Sequence, residues 1–147
     1  MSSVMNRITV HRQIEDVFAV LTDVEKTGIW FPGEVEEYWT SPRPYGVGST
    51  RHAVVRMRGR RTENDAVVTE YDPPHRAVMA GTSPNAPFVV TLAFSRKDEA
   101  TTLVEVTTKL ALRGASRIAG PFVAAWYGRA WSRGLETLKG LMESGEL

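Results

Sequence analysis

Charged and phenolic side chains that could perform acid–base chemistry occur on two segments with strand-like alternation. Arg51 lies on the first segment, and Glu63, Asp65, Val67 and Tyr71 share one face of the second. If Val67 and Tyr71 point into the core, the two carboxylates approach the end of the core near Arg51. Such a group could orient the polar end of a ligand or act as acid and base. The alternative is that these strand ends splay into solvent, where charged residues usually lie, and that the charges simply pair there.

Other familiar catalytic and metal-binding patterns are absent from the sequence. His11, His52 and His75 lie in separate elements and lack the spacing of metal ligands, so we expect no metal site. His52 falls on the opposite face of its strand from Arg51, a position that we expect to be exposed. No Gly-x-Ser-x-Gly segment is present, and residues 46–48 (GVG) are expected in a hairpin turn, because no helix follows them. We therefore expect no cofactor.

The predicted C-terminal helix, residues 116–143, has an apolar stripe with an unusually small centre. At about 100° per residue, this centre consists of small side chains: Ala119, Val123, Ala130 and Gly134. Small residues either bring a helix very close to its partner or leave a hollow beneath it, and we predict a hollow under these four positions. Trp126, Tyr127 and Trp131 lie in the same stripe. They either line or gate this pocket, or they belong to ordinary core and rim packing.

Strand-like alternation recurs at short spacing through the middle of the chain. We expect a first strand at residues 5–11, short helices at 14–22 and 24–29, and then strands at 34–41, 49–58, 60–71, 75–81, 86–95 and 101–113. Consecutive strands joined by short turns imply an antiparallel meander. The predicted fold is therefore α+β. It consists of a strongly curved antiparallel sheet of six to seven strands around the long C-terminal helix, with two short helices after the first strand.

Length and composition limit the class of protein. The 147 residues fit one domain, which we assign to residues 1–147. The near-balance of 18 basic and 17 acidic side chains argues against nucleic-acid binding. Apolar runs fall short of the roughly 20 residues that span a bilayer, so we expect no integral membrane association. The chain has no cysteine, which excludes disulfides and thiolate chemistry, and no secretory signal is visible. We expect a cytoplasmic protein.

Several segments occur in the order that is typical of the START-like (helix-grip) superfamily. They are residues 14–18 (IEDVF) after the first strand, Asp23, Trp30, residues 32–33 (PG), residues 46–48 (GVG), residues 67–74 (VVTEYDPP) and residues 138–141 (LKGL). Over nearly its whole length the chain resembles the polyketide cyclase/dehydrase and lipid-binding branch of this superfamily. The resemblance implies an elongated apolar cavity between the sheet and the C-terminal helix.

The resemblance also implies a function, since members of this superfamily bind lipids, steroids, polyketides or hydrophobic hormones. We accordingly expect this chain to bind a small hydrophobic or amphipathic molecule in its cavity. The residues expected to contact that ligand are Phe31, Trp39, Met57, Met79, Phe88, Val90, Leu92, Val123, Trp126, Tyr127, Ala130 and Gly134.

Two alternatives stay open at this point. A minority of the superfamily catalyses cyclisation, and its aromatic polyketide cyclases use an arginine and a tyrosine inside the pocket. Arg51 or Arg61 and Tyr71 could fill these roles in a cyclase or dehydratase, with Glu63 as a third candidate. The other alternative is a protein-interaction module with a collapsed cavity. Exposed aromatic residues such as Trp39 and Trp131 could also be contacts of a homodimer.

Overall fold

A computed structural model describes residues 2–57, 59–82, 87–111 and 120–147 of the chain. Its strands are β1 (Ser2–Val10), β2 (Glu34–Trp39), β3 (Thr50–Met57), β4 (Arg60–Asp72), β5 (Arg76–Thr82), β6 (Pro87–Asp98) and β7 (Thr101–Leu110). Its helices are α1 (Ile14–Thr22), α2 (Thr27–Trp30) and α3 (Gly120–Glu143), with a 3₁₀ turn over Val24–Lys26 between the first two. Within the described ranges, no helix is long and apolar enough to cross a membrane.

The seven strands form one antiparallel sheet in the order β1-β7-β6-β5-β4-β3-β2. β2 to β7 are therefore a meander, and β1 joins it at the far edge beside β7. Alternate residues of β7 are buried, from Thr102 through Val104 and Val106 to Leu110. This period of two assigns one face of the sheet to the interior. The predicted helix-grip architecture is confirmed.

The predicted elements lie at the observed positions, with ends displaced by a few residues. β1 begins at Ser2, earlier than expected, and the second short helix consists of the 3₁₀ turn followed by α2. The predicted start of the long helix at 116, the predicted end of the last strand at 113, and Ala119 lie outside the described residues.

The C-terminal half of α3 closes one end of the core. Leu135, Leu138 and Met142 are buried and form one apolar cluster with Ile14 and Val17 of α1. Burial of an aliphatic side chain of this size contributes roughly 1.5–3 kcal/mol. This end of the protein is packed solid.

Polar side chains of the first 12 residues hold α3 in place. The Asn6 amide donates to the carbonyl of Gly128 over 3.0 Å. Arg12 donates to the carbonyls of Met142 and Leu147 over 2.8 and 3.0 Å. Because the last carbonyls of a helix have no partner within it, Arg12 satisfies a group that would otherwise need water.

The small residues of α3 bring the helix close to its neighbours, so the prediction of a hollow beneath them is wrong at Ala130 and Gly134. Ala130 is buried. A β-carbon at Gly134 would lie only 3.2 Å from Cε3 of Trp30 and 3.3 Å from Cδ of Pro32. Of the two outcomes that small residues permit, close approach is the one observed here.

This contact predicts opposite effects for two glycine substitutions in the same helix. Gly134→Leu should lower the free energy of unfolding by about 1–3 kcal/mol, because the new side chain must displace the Trp30 ring. Gly140→Ala should raise it by about 0.5–1 kcal/mol, because nothing lies within 4 Å of its β-carbon and alanine favours helix. Urea denaturation of both variants measures these changes, and an unchanged stability for Gly134→Leu would contradict the close contact.

Candidate functional site

A cavity of about 200 Å³ lies between the curved sheet and the N-terminal half of α3. Its wall is formed mostly by apolar and aromatic side chains, and it includes all four tryptophans of the chain. The segment of short helices and the residue that follows it contribute Leu21, Thr22, Val24, Thr27, Trp30 and Phe31, and α3 contributes Trp126, Tyr127 and Trp131. The sheet contributes Val35, Glu37, Trp39, Arg51, Ala53, Val55, Thr62, Asn64, Val68, Tyr71, Ala77, Val78, Met79, Phe88, Val90, Leu92 and Thr108.

Most residues predicted to contact a ligand do lie in this wall. These are Phe31, Trp39, Met79, Phe88, Val90, Leu92, Trp126, Tyr127 and, among the catalytic candidates, Arg51 and Tyr71. Arg51, Ala53 and Val55 alternate along β3 and all lie in the wall, so Arg51 is on the inner face of this strand. Contact of these residues with a ligand stays a prediction.

Four residues predicted for the wall do not belong to it. Gly134 packs closely against Trp30 and Pro32, as described above. Ala130 is buried outside the lining, and Val123 also lies outside it. Met57 pairs with Arg60 at the β3–β4 hairpin and packs towards Gly33, beyond the end of the cavity.

Of the two arrangements left open for the first half of β4, the structure has the one in which the carboxylates are exposed and pair with other charges. Asn64 lines the cavity, whereas Glu63 and Asp65 are exposed on the outer face of the sheet. Pairing with β5 shifts register between Val68 and Glu70, where a bulge inserts one residue. The bulge reverses the parity of the strand, so that Tyr71 returns to the cavity wall although Glu63 does not.

A buried ion pair forms the polar part of the wall. Nε of Arg51 lies 3.9 Å from Oε1 of Glu37, and the two side chains are only 8% and 12% exposed. Asn64 accepts hydrogen bonds from the Arg51 guanidinium through both its backbone and side-chain oxygens. The Arg51 Nε–H group also points to the sulfur of Met79 over 3.2 Å, and Thr27 donates to Glu37 over 3.4 Å.

Burial shifts the pKa of both members of this pair. Loss of hydration raises the pKa of Glu37, although the nearby Arg51 charge and the Thr27 hydroxyl act in the opposite direction. Loss of hydration also lowers the pKa of Arg51, against the effect of the Glu37 charge. A buried carboxyl with a raised pKa beside a cation is the type of group that serves as a general acid or base.

The sequence did not lead us to predict Glu37 and Asn64 as residues of the cavity wall, although strand alternation could have indicated Glu37. Alternation along β2 puts Glu37 on the same face as Trp39, which was predicted to line the cavity. Glu37 pairs with Ala53, and Ala53 pairs with Asn64 on the next strand. Arg51 lies two residues before Ala53 on the same face of β3, and its guanidinium contacts both Glu37 and Asn64.

Aromatic rings enclose the rest of the cavity. Trp30 contacts Phe31 and Trp131, with ring centroids 5.8 and 5.7 Å apart, and all three rings belong to the wall. Trp39 stacks on Tyr45 with centroids 4.2 Å apart. Burial raises the pKa of the Tyr127 phenol, which therefore remains protonated at neutral pH.

A second charged group lies on the outer face of the sheet. Nδ1 of His52 lies 2.8 Å from Oδ1 of Asp65, and Nε2 lies 3.3 Å from Oε1 of Glu63. Arg61 also pairs with Glu63, and the Tyr38 ring lies beside the imidazole with centroids 5.6 Å apart. In the part of the chain that the structure describes, no three His, Cys, Asp or Glu side chains converge as metal ligands would.

Sequence comparison assigns the family. The profile described as polyketide cyclase / dehydrase and lipid transport matches residues 1–143. The chain belongs to this family. No curated protein matches the sequence significantly.

Solved structures of this family's fold superimpose closely at low sequence identity. A START superfamily protein from Mycobacterium smegmatis has a TM-score of 0.82 at 13% identity, over 98% of this chain and 99% of that one. The ZhuI aromatase/cyclase from Streptomyces sp. R1128 has a TM-score of 0.78 at 18% identity, over 96% and 93%. The di-domain aromatase/cyclase BexL of the BE-7585A biosynthetic pathway has 0.79 at 16%, over 97% and 47%. At these identities the likeness shows the fold alone.

The outer-face group predicts a pH-dependent contribution to stability. The hydrogen bond to Asp65, followed by that to Glu63, raises the pKa of His52. The stabilisation is therefore complete below the pKa of an unfolded histidine, about 6.5, and is lost as the pH rises through the folded value. The His52→Ala substitution should lower the free energy of unfolding more at pH 5.5 than at pH 8.5. The difference should be no more than about 1 kcal/mol, because the ion pair is exposed.

Urea denaturation at the two pH values measures this difference. Asp65→Asn removes the main partner of His52 and serves as the matched control. The free energy of unfolding that it removes should likewise be larger at pH 5.5. In its background, substitution of His52 should depend less on pH, because only the contact with Glu63 remains. A cost for His52→Ala that is equal at both pH values would contradict the ion pair.

Proposed function

We propose that this protein binds a small, mainly apolar molecule of one or two rings in the cavity between the sheet and α3. The observation that carries the proposal is the cavity itself, with about 200 Å³ of space and a wall of aromatic and aliphatic side chains. A dry apolar cavity of about 150 Å³ is large enough for benzene. An apolar wall with a few polar groups is typical of ligand sites in proteins.

The family and its structural neighbours support this proposal. The family description includes lipid transport, and two of the neighbouring structures are described as aromatase/cyclases. Both descriptions concern hydrophobic or aromatic molecules. An interaction module with a collapsed cavity, the alternative from the sequence, has no comparable support.

A second candidate function is the cyclisation of a polyketide-like substrate, and the buried Arg51–Glu37 pair favours it. Cyclisation of a poly-β-ketone needs a base that removes a proton from the carbon between two carbonyls. It also needs a cation that stabilises the resulting enolate oxygen while the new carbon–carbon bond forms. Among the described residues of the wall, Glu37 is the only carboxylate and Arg51 the only cation. In this role Glu37 replaces Glu63, which lies on the outer face.

Binding in the cavity predicts a face-specific effect of one substitution on β6. Val90 lines the cavity, whereas its neighbour Val89 points outward and is 36% exposed. Val90→Phe should weaken binding of the fluorescent probe 1-aminonaphthalene by about tenfold or more, because the added ring occupies the cavity. Val89→Phe, the matched control, should leave binding within twofold. Equal effects of the two variants, or no binding to the wild type, would contradict the proposal.

The cyclase candidate makes a separate prediction. Glu37→Gln should slow the cyclisation of a linear poly-β-ketone thioester by about 10²–10⁴-fold, as loss of an acid–base group does. Glu63→Gln should leave the rate unchanged. Aromatic ultraviolet absorption follows the product, and 1-aminonaphthalene binding shows that the Glu37 variant is folded. Absence of turnover by the wild type, or equal rates for the two variants, would exclude this candidate.

A further inference from the structure

The guanidinium of Arg51 has one nitrogen that donates to none of the described residues. Its Nε–H group points to the sulfur of Met79, and Nη1 donates to both oxygens of Asn64. Nη2 has no such acceptor, yet it is not one of the buried polar atoms that lack both a partner and accessible surface. Because Arg51 is buried on the inner face of β3 and lines the cavity, the accessible surface of Nη2 faces the cavity. A ligand oxygen can therefore accept a hydrogen bond from it.

Glu37 is the group that neutralises Arg51 inside the wall. Asn64 and Met79 are uncharged, whereas Oε1 of Glu37 lies 3.9 Å from Nε of Arg51 and carries the opposite charge. Asp65 also acts on the Arg51 charge, but it does so from the exposed outer face of the sheet. Among the described residues, Glu37 is therefore the one negative charge that a ligand beside Nη2 would meet in the cavity.

This counter-charge decides which ligand oxygen Arg51 can bind. A guanidinium with a free donor normally favours a carboxylate, because hydrogen bonds between two charged groups are the strong ones. A ligand carboxylate beside Arg51 would also lie close to the carboxylate of Glu37. Repulsion between like charges is strong where little water screens it. A carbonyl or hydroxyl oxygen accepts the same hydrogen bond without this repulsion.

Resting on the proposed function, we propose that Glu37 is a specificity-determining residue that restricts the cavity to uncharged ligands. Arg51 donates to a carbonyl or hydroxyl oxygen of the ligand, and Glu37 excludes carboxylates by neutralising Arg51. Binding proteins often gain specificity from such a repulsive element beside an attractive one. This role requires no reaction and is independent of the proton transfer that the cyclase candidate assigns to Glu37.

Two probes of similar size test this proposal by isothermal titration calorimetry at about pH 8, where an ion-paired carboxyl is charged. Acetophenone carries a neutral carbonyl and benzoate a carboxylate. Acetophenone should bind the wild type about tenfold or more tightly than benzoate. Glu37→Gln should tighten benzoate binding about tenfold or more, because Arg51 then lacks its counter-charge, and should change acetophenone binding less than about threefold.

Two further variants assign the gain to the Arg51–Glu37 pair. Glu63→Gln, the matched control, removes the same charge from the outer face and should leave both affinities within about twofold. Arg51→Gln in the background of Glu37→Gln removes the cation and should abolish the tighter binding of benzoate.

If Glu37→Gln does not fold because Arg51 is left unpaired, the wild type decides. The groups that contact Glu37 are the Arg51 guanidinium and the Thr27 hydroxyl, which do not titrate near neutral pH. Benzoate should bind more tightly as the pH falls from about 8 to about 6, because one proton must be taken up to cancel its charge. The affinity for acetophenone should stay constant over this range.

The other outcomes separate this inference from the proposed function. Benzoate binding to the wild type as tight as that of acetophenone, or independent of pH, would overturn the role of Glu37 and leave the binding cavity intact. Unchanged benzoate affinity in a folded Glu37→Gln variant, or an equal gain in Glu63→Gln, would do the same. Binding of 1-aminonaphthalene without binding of acetophenone would overturn the preference for a neutral oxygen. Failure of both of these neutral probes would overturn the proposed function and this inference together.

Discussion

The contact between Gly134 of α3 and the ring of Trp30 divides the interior of this protein into two parts. Because glycine has no side chain, the helix approaches the ring to van der Waals distance at this point. C-terminal to the contact, Leu138 and its neighbours fill the space between α3 and α1. N-terminal to it, Trp131 and the residues before it form the wall of a cavity. Trp30 belongs to both parts, as a member of the solid core and of the cavity wall.

Burial of the Arg51–Glu37 pair is unfavourable in free energy. Removing two charges from water costs several kcal/mol for each ion, and their attraction compensates only when further hydrogen bonds satisfy both groups. Asn64, Met79 and Thr27 supply those bonds. Since apolar replacements of buried ion pairs are often neutral or stabilising, stability alone does not explain the pair. Both proposed functions give it a role, either in shaping the polar part of the wall or in moving protons.

The fold could be predicted from the sequence because its signals are local and periodic. Alternation such as that of Phe88 and Val90 identifies the strands and their inner faces, and short turns indicate the meander. Features that depend on tertiary contacts could not be read in this way. The bulge after Val68 reverses the parity of β4 and cannot be seen in composition. Whether the small side chain at Gly134 leaves a hollow or permits a contact depends on Trp30, which is distant in sequence.

Crystallography under xenon pressure tests whether the interior holds a cavity on one side of the Gly134–Trp30 contact and close packing on the other. Xenon is suited to this test because it occupies dry apolar cavities. We expect a xenon site beneath the N-terminal half of α3, among Val90, Leu92 and Tyr127. We expect no xenon site between Gly134 and the short helices, where the packing is close. Xenon bound beneath Gly134, or absent between the sheet and Tyr127, would contradict the division of the interior on which the proposed function rests.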